Sequence, residues 1–153
     1  MGGATILCGS FEGGDKSASP IVSVLEEAFV QAFGRKPRGR FGVRFAKLLG
    51  RLAPEDEALA EKAILKVKFD AEGEIPPAVG QRLLPFLEKY QASLLRQLNV
   101  QDDVEQIWKH VSPGIRAKYG RVPDPGWHLY CLHDLVPACR KSVGEGLPVQ
   151  VVW

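Results

Sequence analysis

Apolar positions along the chain change spacing from segment to segment, and the spacing predicts most of the elements. Thr5 to Cys8 is a short apolar run closed by Gly9, the pattern of a buried strand. Ser19 then offers a cap and Pro20 suits a first helical position, and Ile21, Val24, Leu25, Ala28, Phe29 and Phe33 recur at helical spacing before Gly34. Phe41, Phe45, Leu48, Leu49 and Leu52 mark a second amphipathic helix. Pro54 with Glu55, Asp56 and Glu57 opens a third, its acids at the positive helix end.

In "ILKVKFDAEGEIPP", Leu65, Val67 and Phe69 alternate with charged residues, which predicts a half-exposed strand closed at Gly73. Leu83, Leu87, Tyr90, Leu94 and Leu98 form a long helical stripe that Pro85 must start or kink. Asp102 or Asp103 caps a helix carrying Val104, Ile107, Trp108 and Val111, ended by Ser112 and Pro113. After the turn in "RVPDPGW", Trp127 to Leu132 reads as a strand and Asp134 as the cap of a short helix to Val143. "LPVQVVW" closes the chain as a further strand, at a spacing compatible with a short parallel crossover.

The sum is an α+β fold, mostly helical, with a small sheet that includes the N-terminal and C-terminal strands. At 153 residues it fits a single domain, 1–153, able to bury roughly two-thirds of its unfolded surface without a disulfide or metal. A content of 45% apolar and 25% charged residues excludes a disordered chain. Net charge is only +2, so a polyanion would have to be drawn by a local patch. An odd cysteine count of three, with no pairing by spacing, points to reduced thiols and a cytoplasmic location. The opening "MGGATILCGS" has neither the basic region nor the length of a signal peptide or membrane span.

Three stretches carry candidate chemistry. "TILCGSFEGGDKSAS" runs from strand through glycines to Lys16 and Ser17, close to a phosphate-binding loop. Such a loop has its lysine directly after the second glycine, whereas Asp15 intervenes here, and the helix starts only after Lys16 and Ser17. The expectation is therefore a glycine turn joining strand to helix, with no nucleotide cofactor. Second, His128, Cys131, His133 and Cys139 crowd within twelve positions, as zinc ligands or a Cys/His catalytic pair would. On a strand, Cys131 and His133 share one face and His128 takes the other, so packing of the thiols in the core is the leading expectation, and His128, Cys131 and His133 are weak metal candidates only.

Third, "GRKPRGRFGVRFAKLLGR" holds seven of the twenty Lys and Arg and no acid: Arg35, Lys36, Arg38, Arg40, Arg44, Lys47 and Arg51. On a helix over 35–51, Arg40, Arg44, Lys47 and Arg51 form one cationic face whose mutual repulsion a partner, or the acids from Glu55 to Glu61, would relieve. The leading functional expectation is a non-enzymatic protein-binding module that docks an acidic protein, in the manner of small bacterial immunity or inhibitor proteins. The alternative is association with nucleic acid through the same basic helix, and an enzyme built on 128–139 comes third. No membrane partner is expected.

Overall fold

The computed structural model describes residues 3–16, 18–39, 55–70, 72–111 and 125–152. The predicted second helix, Phe41 to Leu52, lies outside them, as do Arg40, Arg44, Lys47 and Arg51, the opening of the third helix at Pro54, and the turn through Ser112 and Pro113. The described residues fold as predicted in class: five helices and one small antiparallel sheet that joins the two ends of the chain.

β1 (Thr5–Cys8) buries alternate residues and turns at Gly9 into β2 (Phe11–Glu12). Gly9 has φ +56°, a backbone region that side chains other than glycine rarely adopt. β1 pairs on its other edge with β4 (Val149–Val152), Ile6 opposite Val151, and β4 pairs with β3 (Gly73–Ile75), so the strand order is β2-β1-β4-β3. Among the described residues every strand pairing is antiparallel, so the parallel crossover with which the spacing is compatible is not formed there. Ile6, Cys8, Ile75, Val149 and Val151 turn the sheet's apolar face onto the helices.

α1 (Ala18–Phe33) buries the predicted stripe from Ile21 to Phe29 and stops at Gly34, φ +72°. α2 (Glu55–Asp70) corrects the sequence reading, because the expected strand through Leu65, Val67 and Phe69 is the end of this helix. The stretch satisfies two periods at once. Ala60, Ala63, Ile64 and Val67 recur at helical spacing and are buried, while Phe69, which the strand pattern would pair with them, is exposed. Only the short tail Gly73–Ile75 becomes a strand.

α3 (Pro77–Leu98) starts six residues before Leu83, the first position of the predicted stripe, with Pro76 as its cap residue, and carries Pro85 in its interior. It ends on Asn99 in the left-handed conformation, where the Val100 amide donates to the Leu95 carbonyl at 3.1 Å. α4 (Val104–Trp108) is capped by Asp103, whose carboxylate accepts from the Gln106 amide at 3.0 Å.

α5 (Pro125–Glu145) is the second correction: neither a strand at Trp127–Leu132 nor a cap at Asp134 is present, because one helix of 21 residues runs through both. Pro125 stands at its first position, and His128, Cys131, Leu132, Leu135, Cys139 and Ser142 continue a helical stripe that is buried throughout. Aromatic and apolar residues in "WHLYCL" carry strand preference, and the burial available along 21 residues overrides it. α5 lies against α3, α1 and β1, so its buried face is the axis of the core.

Candidate functional site

The glycine loop does hold an anion, and that anion is the protein's own. The Gly13 amide donates to the Ile6 carbonyl at 2.9 Å, and the Gly14 amide donates to Asp134 Oδ2 at 2.9 Å. Lys16 forms an ion pair with the same oxygen and reaches the Gly14 carbonyl at 3.3 Å, while its Nζ sits 4.0 Å above the Tyr130 ring. Both charged side chains are buried, at 1% and 10% exposure. A Cβ on Gly13 would lie 2.5 Å from Asp134 Oδ2, so only glycine lets the loop approach α5 this closely. Asp15, expected where phosphate would lie, is exposed, and the turn is tied to α5 through Gly14 and Lys16.

The His/Cys group does not converge. On a helix His128 and Cys131 share a face, and His133, two residues further, points about 200° away from Cys131, the reverse of the strand geometry. His128 Nδ1 and the Tyr90 hydroxyl share a 2.6 Å hydrogen bond, and His133 Nδ1 contacts Asp102 Oδ1 at 2.7 Å near the surface. Among the described residues no group of three or more His, Cys, Asp or Glu could hold a metal ion. Cys8, Cys131 and Cys139 are all unpaired and buried. Burial pushes the Cys131 and Cys139 thiols up to about 12, and it raises that of Cys8 as well. Thiols so held are neutral at physiological pH and poor nucleophiles. Iodoacetamide at pH 8 is therefore expected to leave all three unlabelled over a period in which the unfolded chain is fully labelled. Rapid labelling of Cys131 in the folded protein would revive the catalytic pair. The same raised values fix a pH trend: the folded state keeps these protons more tightly than the unfolded chain, so their contribution to stability is whole below pH 9 and is lost as pH climbs from 9 towards 12.

Of the basic block, Arg35, Lys36 and Arg38 are described. Arg35 donates to Glu57 at 2.7 Å and to Glu61 at 2.5 Å, with its guanidinium 5.1 Å from the centre of the Phe29 ring. The Arg38 amide donates to Glu61 Oε2 at 2.9 Å, and its side chain reaches Oε1 at 3.4 Å. Burial alone would lower the Arg35 pKa, but Glu61 and then Glu57 more than offset this and raise it. Two of the seven cations are thus held by acids of α2, and Lys36 is exposed.

A surface that the sequence did not single out lies where α4 meets α5. Trp108 packs on Tyr130 with ring centres 5.2 Å apart and on Trp127 at 6.0 Å, and Trp127 and Tyr130 are 5.9 Å apart. The predicted apolar stripe of α4 divides: Ile107 and Val111 are buried, whereas Val104 and Trp108 are each 45% exposed, one turn apart. A smaller feature, a half-open cleft of about 190 Å³, lies between α1 and α3, with Phe86 and Tyr90 in its wall and Glu27 and Lys89 at its mouth. The Tyr90 hydroxyl is turned to His128, and burial, with Glu27 nearby, pushes its pKa up to about 12. Among the described residues no helix is long and apolar enough to cross a membrane.

Comparison of the chain with protein-family models, with curated proteins and with solved structures returns no match.

Proposed function

We propose that this chain is a non-enzymatic binding module that docks a protein partner on the surface formed by Val104, Trp108 and Tyr130. The observation that carries the reading is Trp108, which presents about half its surface to solvent while its ring is seated on two others. Binding energy at protein interfaces concentrates on such aromatic anchors, since a large rigid ring buries much apolar area at little cost in conformational entropy. Tyr130 in turn contacts both Trp108 and the ammonium of Lys16, which is ion-paired with Asp134, so the ring under Trp108 is tied to the buried pair. The buried, neutral thiols weigh in the same direction, against an enzyme built on 128–139. An inhibitor or immunity role in a bacterial cytoplasm is the particular form favoured by the size and plan of the chain, and a toxin gene next to its own would support that form.

The test is a photocrosslinker, benzoylphenylalanine, placed at 108 and, as control, at Lys62 on the exposed side of α2. A discrete adduct is expected from 108 alone. Trp108→Ala is then expected to keep the melting temperature within a few degrees and to weaken the purified partner's affinity by at least about 30-fold, the equivalent of ~2 kcal/mol. Unchanged affinity in that variant would sink the reading.

A second reading keeps the basic block as a site for an anionic partner, an acidic protein or nucleic acid. It rests on Lys36 together with Arg40, Arg44, Lys47 and Arg51, since Arg35 and Arg38 are paired with Glu57 and Glu61. Retention on nucleic acid that falls steeply between low and physiological salt would favour it.

A further inference from the structure

We infer that the segment docking on Trp108 is basic: an apolar anchor flanked by lysine or arginine. This rests on the docking surface proposed above and adds the chemistry of its partner. The stretch 102–110, which carries the exposed Trp108, holds Asp102, Asp103 and Glu105 against Lys109, with His110 beside them and His133 bonded to Asp102. Lys16 and Asp134 beneath Tyr130 cancel each other. Three acids against one lysine give this stretch a formal charge of −2, on a chain whose formal net charge is +2.

The acids also keep acceptor capacity for an incoming cation. Asp102 uses Oδ1 on His133 and Asp103 uses Oδ1 on the Gln106 amide, which leaves the second oxygen of each carboxylate, both on exposed residues, as a further acceptor. Glu105 is exposed, on the turn between Val104 and Trp108. A lysine or arginine beside the anchor would meet these oxygens, and an arginine could in addition stack on the open part of the Trp108 ring. An acidic segment would meet like charge at every one of them, which is how a charged rim rejects wrong partners.

The experiment is selection of phage-displayed twelve-residue peptides on the full chain, with counter-selection on Trp108→Ala, followed by affinity measurement on synthetic copies of the peptides recovered. Peptides that need Trp108 are expected to carry Lys or Arg on either side of an apolar residue. Their affinity should fall about tenfold for the Asp103→Asn, Glu105→Gln double variant and lose most of its salt dependence; asparagine keeps the cap on α4, and circular dichroism checks that the fold is kept. Trp108-dependent peptides with neutral or acidic flanks, or an affinity that the double variant leaves unchanged, would overturn the basic partner and leave the docking surface standing. Recovery of no Trp108-dependent peptide would overturn both.

Discussion

Lys16→Met is expected to destabilise the protein by about 3–5 kcal/mol, because it leaves the Asp134 carboxylate in the core without its cation. For a chain of this length that is a fall in melting temperature of roughly 6–20 °C. Methionine matches the length of the lysine stem, so lost packing is a small part of the effect. The second variant separates charge from contact. In Lys16→Met, Asp134→Asn the stranded charge is gone, and the asparagine oxygen can still accept from the Gly14 amide, so most of the lost stability should return. Urea unfolding followed by circular dichroism measures both, and a single-variant cost below about 1 kcal/mol would show that the pair is not buried in solution. The consequence reaches the proposed function. Tyr130, which contacts both Lys16 and Trp108, loses its cation contact in Lys16→Met, so binding through Trp108 should weaken even where the variant is still folded.

How far the sequence led can be judged from the same residues. α1 and β4 were readable because a single period fits each. The end of α2 and the start of α5 were not, because Leu65, Val67 and Phe69, and the residues from Trp127 to Leu132, satisfy a strand pattern inside a helix. What decides such a stretch is burial of the neighbouring turns, which a local window does not contain. The candidate site was the least legible part. Lys16 and Asp134 lie 118 positions apart, and the glycine loop resembles an anion cradle because it is one, for a carboxylate supplied by a distant helix. Trp108 stood in a predicted apolar stripe, and a helix of five residues is too short to bury all of it. For the basic block, the acids from Glu55 to Glu61 are near enough in sequence to neutralise part of it, and the structure pairs Glu57 and Glu61 with two of its seven cations, Arg35 and Arg38.

Glu61 is where the fold and the basic block can be told apart. It is 3% exposed, accepts from both Arg35 and Arg38 and from the Arg38 amide, and so joins the chain after α1 to α2. Glu61→Leu is expected to cost about 2–4 kcal/mol, below the full penalty for breaking a buried pair because Arg35 and Arg38 are partly exposed and can recover some solvent. Arg35→Gln should cost less, about 1–2 kcal/mol, since Arg38 still serves Glu61 and glutamine keeps one donor. Lys36→Gln, which is exposed and touches neither acid, should leave stability within about 0.5 kcal/mol of the parent. Melting curves at low and at 0.5 M salt test this ordering: the costs at Glu61 and Arg35 should survive added salt, because the pair is shielded from ions, whereas an effect at a solvated face would fade. If Arg35→Gln instead left stability unchanged and weakened binding to an anionic partner, the guanidinium would belong to the docking face of the basic block and not to the fold.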